Sequence, residues 1–226
     1  RTQHAPALNH PVFPLALRHM KPAAVILGIA FAGALGQAHS DGWNQFRGAN
    51  GSGVAKDGRP PVELDDARLA WKIALPPGLS SPVLSRKRVF LTGLAKGRLV
   101  TLAVDKADGK IAWQRPAPKV ELEKVHKASH PAAPSVLVAQ NRVFTYFGSY
   151  GLICHDHDGR ELWKKPIPTP KSLYGMSTSP ILHGEHLILV LDNDANLPGS
   201  RLSQSKIVAC DKTNGEIAWE IPRPFH

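Results

Sequence analysis

Apolar and polar residues in this chain fall into short runs bounded by turn residues, which predicts strands rather than helices. Residues 205–222, SKIVACDKTNGEIAWEIP, show the arrangement in full. Ile207, Val208, Ala209 and Cys210 are apolar on both faces, as a strand covered on both sides requires. Residues 212–215 then supply a tight turn: the Asp211 carboxylate can accept backbone N–H groups, and Gly215 can take a positive φ. Beyond the turn, Ile217 and Trp219 share one face while Glu216 and Ala218 share the other, so this strand is half exposed and carries one large anchor.

The same unit occurs twice more. AVDKADGKIAW places Ala103, Asp105, Gly109 and Trp113 at the spacings of Ala209, Asp211, Gly215 and Trp219, giving A-x-D-x-x-x-G-x-x-x-W. ICHDHDGRELW keeps Gly159 and Trp163 four apart, with Asp156 one place nearer the glycine and His155 in the slot that holds Asp elsewhere. A second signature precedes each hairpin, starting at Ser81, Ser135 and Ser179, and reads as strand, polar turn, strand. Together they predict an all-β chain of four-stranded antiparallel modules, repeated every 44 to 54 residues, which is the size of a β-propeller blade. The string RLAWKIAL at 68–75 adds a Trp-bearing strand around Trp71 that lacks its own Asp and Gly partner, as expected of a strand that completes the blade at the far end of a ring. Since a closed ring needs roughly four to eight blades, the expectation is about three blades plus a closing strand. The ring is then incomplete, and the chain reads as the N-terminal part of a longer protein.

The A-x-D-x-x-x-G-x-x-x-W unit after an S-P strand resembles the pyrroloquinoline quinone (PQQ) repeat, from about Trp43 to the end. That repeat occurs in exported quinoprotein alcohol dehydrogenases and in non-catalytic, BamB-like outer-membrane assembly scaffolds. The resemblance implies that Trp113, Trp163 and Trp219 dock between adjacent blades, as does the burial such a side chain favours. The segment WNQFRGANGSG at 43–53 resembles the leader that precedes many such propellers, and is expected to lie across the blades as an ordered arm. Its glycines follow no predicted strand and fit neither a Walker nor a dinucleotide-binding spacing, so no phosphate cradle is read there.

Residue 1 is Arg, and Met20 is read as the true start. Lys21, an apolar run at 23–35 and the small residues before Ala38 form a signal-peptide pattern, too short to span a bilayer comfortably. The expected organisation is therefore upstream sequence at 1–19, a signal peptide at 20–38, the arm at 39–63 and a partial propeller at 64–226, with no transmembrane helix in the mature chain.

Composition changes this picture little. The formal charge of +10 is spread along the chain without a dense Lys/Arg run or an RNA-stacking motif, which argues against nucleic acid as a partner. Cys154 and Cys210 each stand five residues before a turn glycine and are read as equivalent, buried positions too far apart for a disulfide. Asp192, Asp194 and Asn196 imitate the first three ligand positions of a calcium loop, but Leu197 and Ser203 stand where the turn glycine and the bidentate Glu belong. The pairs His126 with His130, His155 with His157, and His183 with His186 sit in no metal-binding motif. Ser177 lacks the closing glycine and strand-to-helix context of a nucleophile elbow. No catalytic residue is assigned.

Trp71, Asp105, Gly109, Trp113, Asp156, Gly159, Trp163, Asp211, Gly215 and Trp219 are thus read as structural repeat positions, with Asp192, Asp194 and Asn196 as the calcium candidate. The function expected is an exported binding or scaffold module without catalysis or cofactor, with envelope or secreted proteins as partners. The alternative that the resemblance implies is a PQQ- and calcium-dependent alcohol or sugar dehydrogenase, but the adjacent cysteine pair of the catalytic relatives is absent. Expressed from Met20 in a bacterium, the protein is expected in the periplasm, trimmed near Ala38. Intact mass spectrometry showing an untrimmed cytoplasmic chain would contradict this.

Overall fold

Among the described residues, twelve strands form three sheets, each a four-stranded antiparallel meander. The first blade comprises β1 (Val83–Leu84), β2 (Arg88–Ala95), β3 (Arg98–Asp105) and β4 (Ile111–Pro116). The second comprises β5 (Leu137–Ala139), β6 (Arg142–Phe147), β7 (Gly151–Asp156) and β8 (Glu161–Pro166). The third comprises β9 (Ile181–His183), β10 (His186–Leu191), β11 (Lys206–Asp211) and β12 (Ile217–Pro222). This is an all-β, incomplete β-propeller. The computed structural model divides the chain into two units, Arg1–Ala38 and His39–His226, and describes residues 42–55, 58–63, 65–193 and 204–223. The expected signal peptide lies outside the described residues, as do Asp194 and Asn196.

Burial follows the hydrophobic pattern. Six consecutive residues of β3, from Leu99 to Val104, are buried because the strand has sheet on either side and a covered face both ways. The outer strands β4 and β8 bury little beyond their anchor, and β12 is exposed throughout, Trp219 included. Val83, Phe90, Ala103 and Trp113 of the first blade pack on Val136, Val138 and Val143, just before and within the second. Leu137, Phe144, Tyr146, Leu152 and Cys154 of the second pack on Leu187, Leu189, Leu191, Val208 and Cys210 of the third.

The repeat residues make the seams. A methyl group built on Gly109, Gly159 or Gly215 would stand 2.6, 2.7 or 2.6 Å from the indole of Trp71, Trp113 or Trp163 respectively. Each indole therefore lies flush on the turn of the next hairpin, which only glycine permits. Each indole N–H also donates to a carbonyl of that turn: Trp71 to Lys106 at 2.8 Å, Trp113 to His157 at 2.8 Å and Trp163 to Lys212 at 3.2 Å. Arginines at equivalent places in β2 and β6 reach two of these carbonyls, Arg88 to that of His157 at 3.0 Å and Arg142 to that of Lys212 at 2.8 Å. The serines of the second signature are bonded too: Ser81 N–H donates to Ser135 Oγ at 2.8 Å, and Ser135 N–H to Ser179 Oγ at 2.9 Å.

Three expectations need correcting. Residues 69–80 contain no strand, because no neighbouring strand pairs with them among the described residues; Trp71 nonetheless occupies the seam position of its counterparts. His155 does not take the place of the repeat aspartate. Registers Ala103↔Trp113, Cys154↔Trp163 and Ala209↔Trp219 align Asp156 with Asp105 and Asp211, and His155 with Val104 and Cys210. The second hairpin is one residue shorter, and its shortening falls within the turn. For the same reason Cys154 and Cys210 are not equivalent: they belong to facing sheets of one core cluster, both as free thiols.

The leader lies along the short first strands. Leu84 N–H donates to Trp43 O at 2.7 Å, Val138 N–H to Asn44 O at 2.8 Å, and Asn44 Nδ2 returns a bond to Val138 O at 3.1 Å. Trp43 packs on Gly48, whose φ is 68°.

Two substitutions test the seam. Gly159→Ala must place a side chain at φ 82° and move Trp113, whereas Gly97→Ala at φ 71° meets nothing within 4 Å. Gly97→Ala should cost the backbone term alone, about 1–2 kcal/mol, and Gly159→Ala clearly more; equal shifts in urea midpoint would contradict the docking. Trp163→Ala should cost about 3–5 kcal/mol, read from the same denaturation curves.

Candidate functional site

In a meander the second-to-third-strand turns and the connections between blades emerge at the same end of the sheets. There the linkers 117–136 and 167–180 meet the turn at 148–150, and they enclose Glu123. Its N–H donates to nothing in its own linker but to Ser149 Oγ at 3.0 Å, and its Oε2 accepts from Met176 N–H at 2.9 Å. Gly148 and Gly175 leave the room: a Cβ on Gly148 would stand 2.3 Å from Glu123 Oε1, and one on Gly175 would stand 2.3 Å from Val125. Glu123 Oε1 and Tyr146 Oη are buried with no hydrogen-bond partner among the described residues. Burial pushes the Glu123 carboxyl above the usual carboxylate range against the Met176 bond, and burial with the nearby Glu123 charge raises the Tyr146 phenol. One linker residue thus ties three connections together, by its backbone N–H and one carboxylate oxygen, and keeps the other oxygen unused. Tyr174, 55% exposed, marks the rim, with its ring centroid 4.9 Å from that of His126.

Elsewhere, a concavity of about 510 Å³ opens beside β10 and β11, lined in part by Pro168, Lys171, Asn193 and Lys206. Asn193 organises it: its Oδ1 accepts from Lys171 N–H at 2.7 Å and its Nδ2 donates to Gln204 O at 3.0 Å. Asp192, the described member of the calcium candidate, is paired with Arg223. A guanidinium at that carboxylate opposes a cation there, and no group of three or more His, Cys, Asp or Glu side chains suited to a metal occurs among the described residues.

The histidine pairs divide by place. His126 and His130 each accept a local backbone N–H at Nδ1, from Ala128 and Ala132, both at 3.1 Å. His183 and His186 are cross-strand neighbours in β9 and β10. His155 and His157 are brought into the seam between the first two blades. Burial pushes the Cys154 thiol up to about 12 and the Cys210 thiol to about 11, which makes both poor nucleophiles. Ser177 lies in a stretch without helix. Of the repeat residues, Asp156 Oδ1 accepts from Asp158 and Arg160 N–H, and Asp211 Oδ1 from Thr213 N–H; both carboxylates are occupied by their own turns.

Glu123 and Tyr146 escape a reading of the sequence because their site is assembled from two linkers, a turn and strand β6, which are separate in the chain. The seam arginines do carry a local signal, since the string RVF occurs at both 88–90 and 142–144.

Among solved structures, a europium-containing methanol dehydrogenase is similar at 17% identity and a TM-score of 0.51, over 69% of this chain and 27% of that one. BamB from Moraxella catarrhalis is similar at 20% identity and a TM-score of 0.42, over 67% of this chain and 38% of that one. The quinohemoprotein alcohol dehydrogenase from Comamonas testosteroni is similar at 18% identity and a TM-score of 0.45, over 65% of this chain and 21% of that one. The chain thus spans well under half the length of these proteins, and at such identities the likeness is one of fold. No curated protein matches. Residues 48–172, more than half of the chain, match the PQQ-repeat family model described as outer membrane protein assembly factor BamB, and the chain belongs to that family.

Proposed function

We propose that this protein is an exported, non-catalytic propeller that binds other envelope proteins through the blade end formed by linkers 117–136 and 167–180. The observation that carries the reading is that the repeat residues are occupied within the fold. Trp71, Trp113 and Trp163 lie on turn glycines, and Asp156 and Asp211 hold their own turns. The blade walls therefore close seams, and the connections are left to recognise a partner. Membership of a family described by an outer-membrane assembly factor supports an envelope location. No helix among the described residues is long and apolar enough to cross a membrane.

The quinoprotein reading requires residues for a quinone with calcium. When bound, PQQ would supply a two-electron acceptor for an alcohol or sugar. Calcium takes six to eight oxygen ligands, whereas Asp192 is paired with Arg223 and Glu123 offers one unused carboxylate oxygen. The described residues do not fit that group, and no step is derived through it.

The test uses the full polypeptide that contains this chain. Mixed with PQQ and calcium, it should retain no quinone absorbance through gel filtration and show no alcohol- or sugar-dependent dye reduction. A photo-crosslinking residue in place of Tyr174 should give a discrete adduct with an envelope protein in intact cells. Stoichiometric quinone retention with turnover would overturn the proposal, as would an absence of any adduct from Tyr174 and its neighbours in both linkers.

A further inference from the structure

Among the described residues the two seams between blades are built alike, yet the seam between the first and second blades has histidine packed against its tryptophan. His155 is 3% exposed, and its ring centroid lies 5.7 Å from that of Trp113. His157, two residues on, has its ring centroid 5.5 Å from that of Phe90. His155 Nδ1 and His157 Nε2 are both buried without a partner among the described residues. The His157 carbonyl is also the acceptor for Trp113 Nε1 at 2.8 Å and Arg88 Nη1 at 3.0 Å. In the neighbouring seam, register puts Cys210 where His155 stands, and the double acceptor is the carbonyl of Lys212. The first seam thus buries imidazole against its tryptophan, whereas at the second the nearest histidine, His186, stands in the β10–β11 ladder opposite the Asp211 carboxylate.

Around His155 the carboxylates of Glu161 and Asp156 favour a proton and Arg115 opposes it. Around His157 Arg88 opposes a proton that Asp158 and Asp156 favour, and burial outweighs the carboxylates at both rings. His155 faces Arg115 on β4, which reaches across to Gly159 O at 2.7 Å, and also Glu161 on β8 and Asp156 at the end of its own strand. His157 faces Arg88 on β2, with Asp158 and Asp156 in its own turn. Arg88 is shared among His157 O, Asp158 at 3.4 Å and Asp105 at 3.8 Å. Asp158 has 85% of its side chain exposed, so its attraction is strongly screened. A proton on His157 would set a second cation beside Arg88, and a proton on His155 would add a buried N–H without an acceptor.

We propose that the seam between the first and second blades is a proton-sensitive joint: acidification through and below the ordinary histidine range releases Trp113 from Gly159 while the seam between the second and third blades stays shut. Burial, the largest influence on both rings, pushes their pKa values below the ordinary one near 6.5. The open form, its histidines in water, protonates first. Seam stability is thus full above about pH 6.5 and falls as pH drops toward the depressed values. The opening constant should rise by up to about tenfold per pH unit for each histidine, and about a hundredfold for both. This joint is independent of which partner the loop end binds.

Hydrogen exchange on the full chain, corrected for intrinsic rates, tests the proposal between pH 7.5 and 5.0. The 156–160 turn and β4 should lose protection on acidification, whereas the 211–215 turn and β8 should not. His155→Val with His157→Asn, the first changing to the residue at Val104, should abolish the response. Equal loss at both seams, or an unchanged response in the double variant, would overturn it. Should that variant not fold, ring NMR of the unaltered protein decides. Both histidines are expected to stay neutral below the ordinary histidine pKa until the seam opens, and ordinary titration with the seam closed would refute the joint.

Discussion

An indole lying on a glycine turn is the contact on which this fold depends. It is short-range, since a single methyl group would break it, and it recurs wherever one hairpin meets the next. The indole N–H fixes the sliding position along the turn, and at two seams an arginine fixes the same carbonyl from the neighbouring strand. Apolar packing between sheets is tolerant of small shifts; these polar contacts are directional. Between them they hold sheets that share no ladder bonds in one angular relation. Trp219 carries the same feature forward and is 40% exposed.

This division of labour explains what could be read from residue order. Gly109, Gly159 and Gly215 with their tryptophans lie within single hairpins, so spacing reveals them and through them the blades. Local spacing misleads where a turn changes length. Anchored on Gly159, His155 falls in the aspartate slot; anchored on Trp163 by strand pairing, it becomes a seam residue. The stretch around Trp71 has a strand's composition, but a strand exists only where a neighbour accepts its hydrogen bonds, and composition carries no information about neighbours. Glu123 is the extreme case. Nothing in a linker of mixed polarity marks one glutamate among several, because the partners of its N–H and its carboxylate, Ser149 and Met176, come from other connections.

Seam and loop end therefore answer to different constraints. Seam residues must satisfy one turn geometry and accept few substitutions. Connections need only leave the strand ends in place, so they can vary in length and chemistry, and Glu123 shows how such a connection is pinned without secondary structure. A fold of this kind keeps its walls and changes its rim, which is why membership in the family leaves the ligand open.

The serine bonds give the blade series a direction. Ser81 offers its N–H to Ser135, and Ser135 offers its own to Ser179, so Ser135 receives from the blade before and gives to the blade after. Such a head-to-tail contact is heterologous: its two sides differ, and no sheet can satisfy it by facing its own copy. Growth of the array is consequently one-handed. A sheet inserted in reverse would leave one backbone donor without an acceptor and confront another with a second donor, so the innermost strands reject inverted assembly even where the apolar faces would tolerate it.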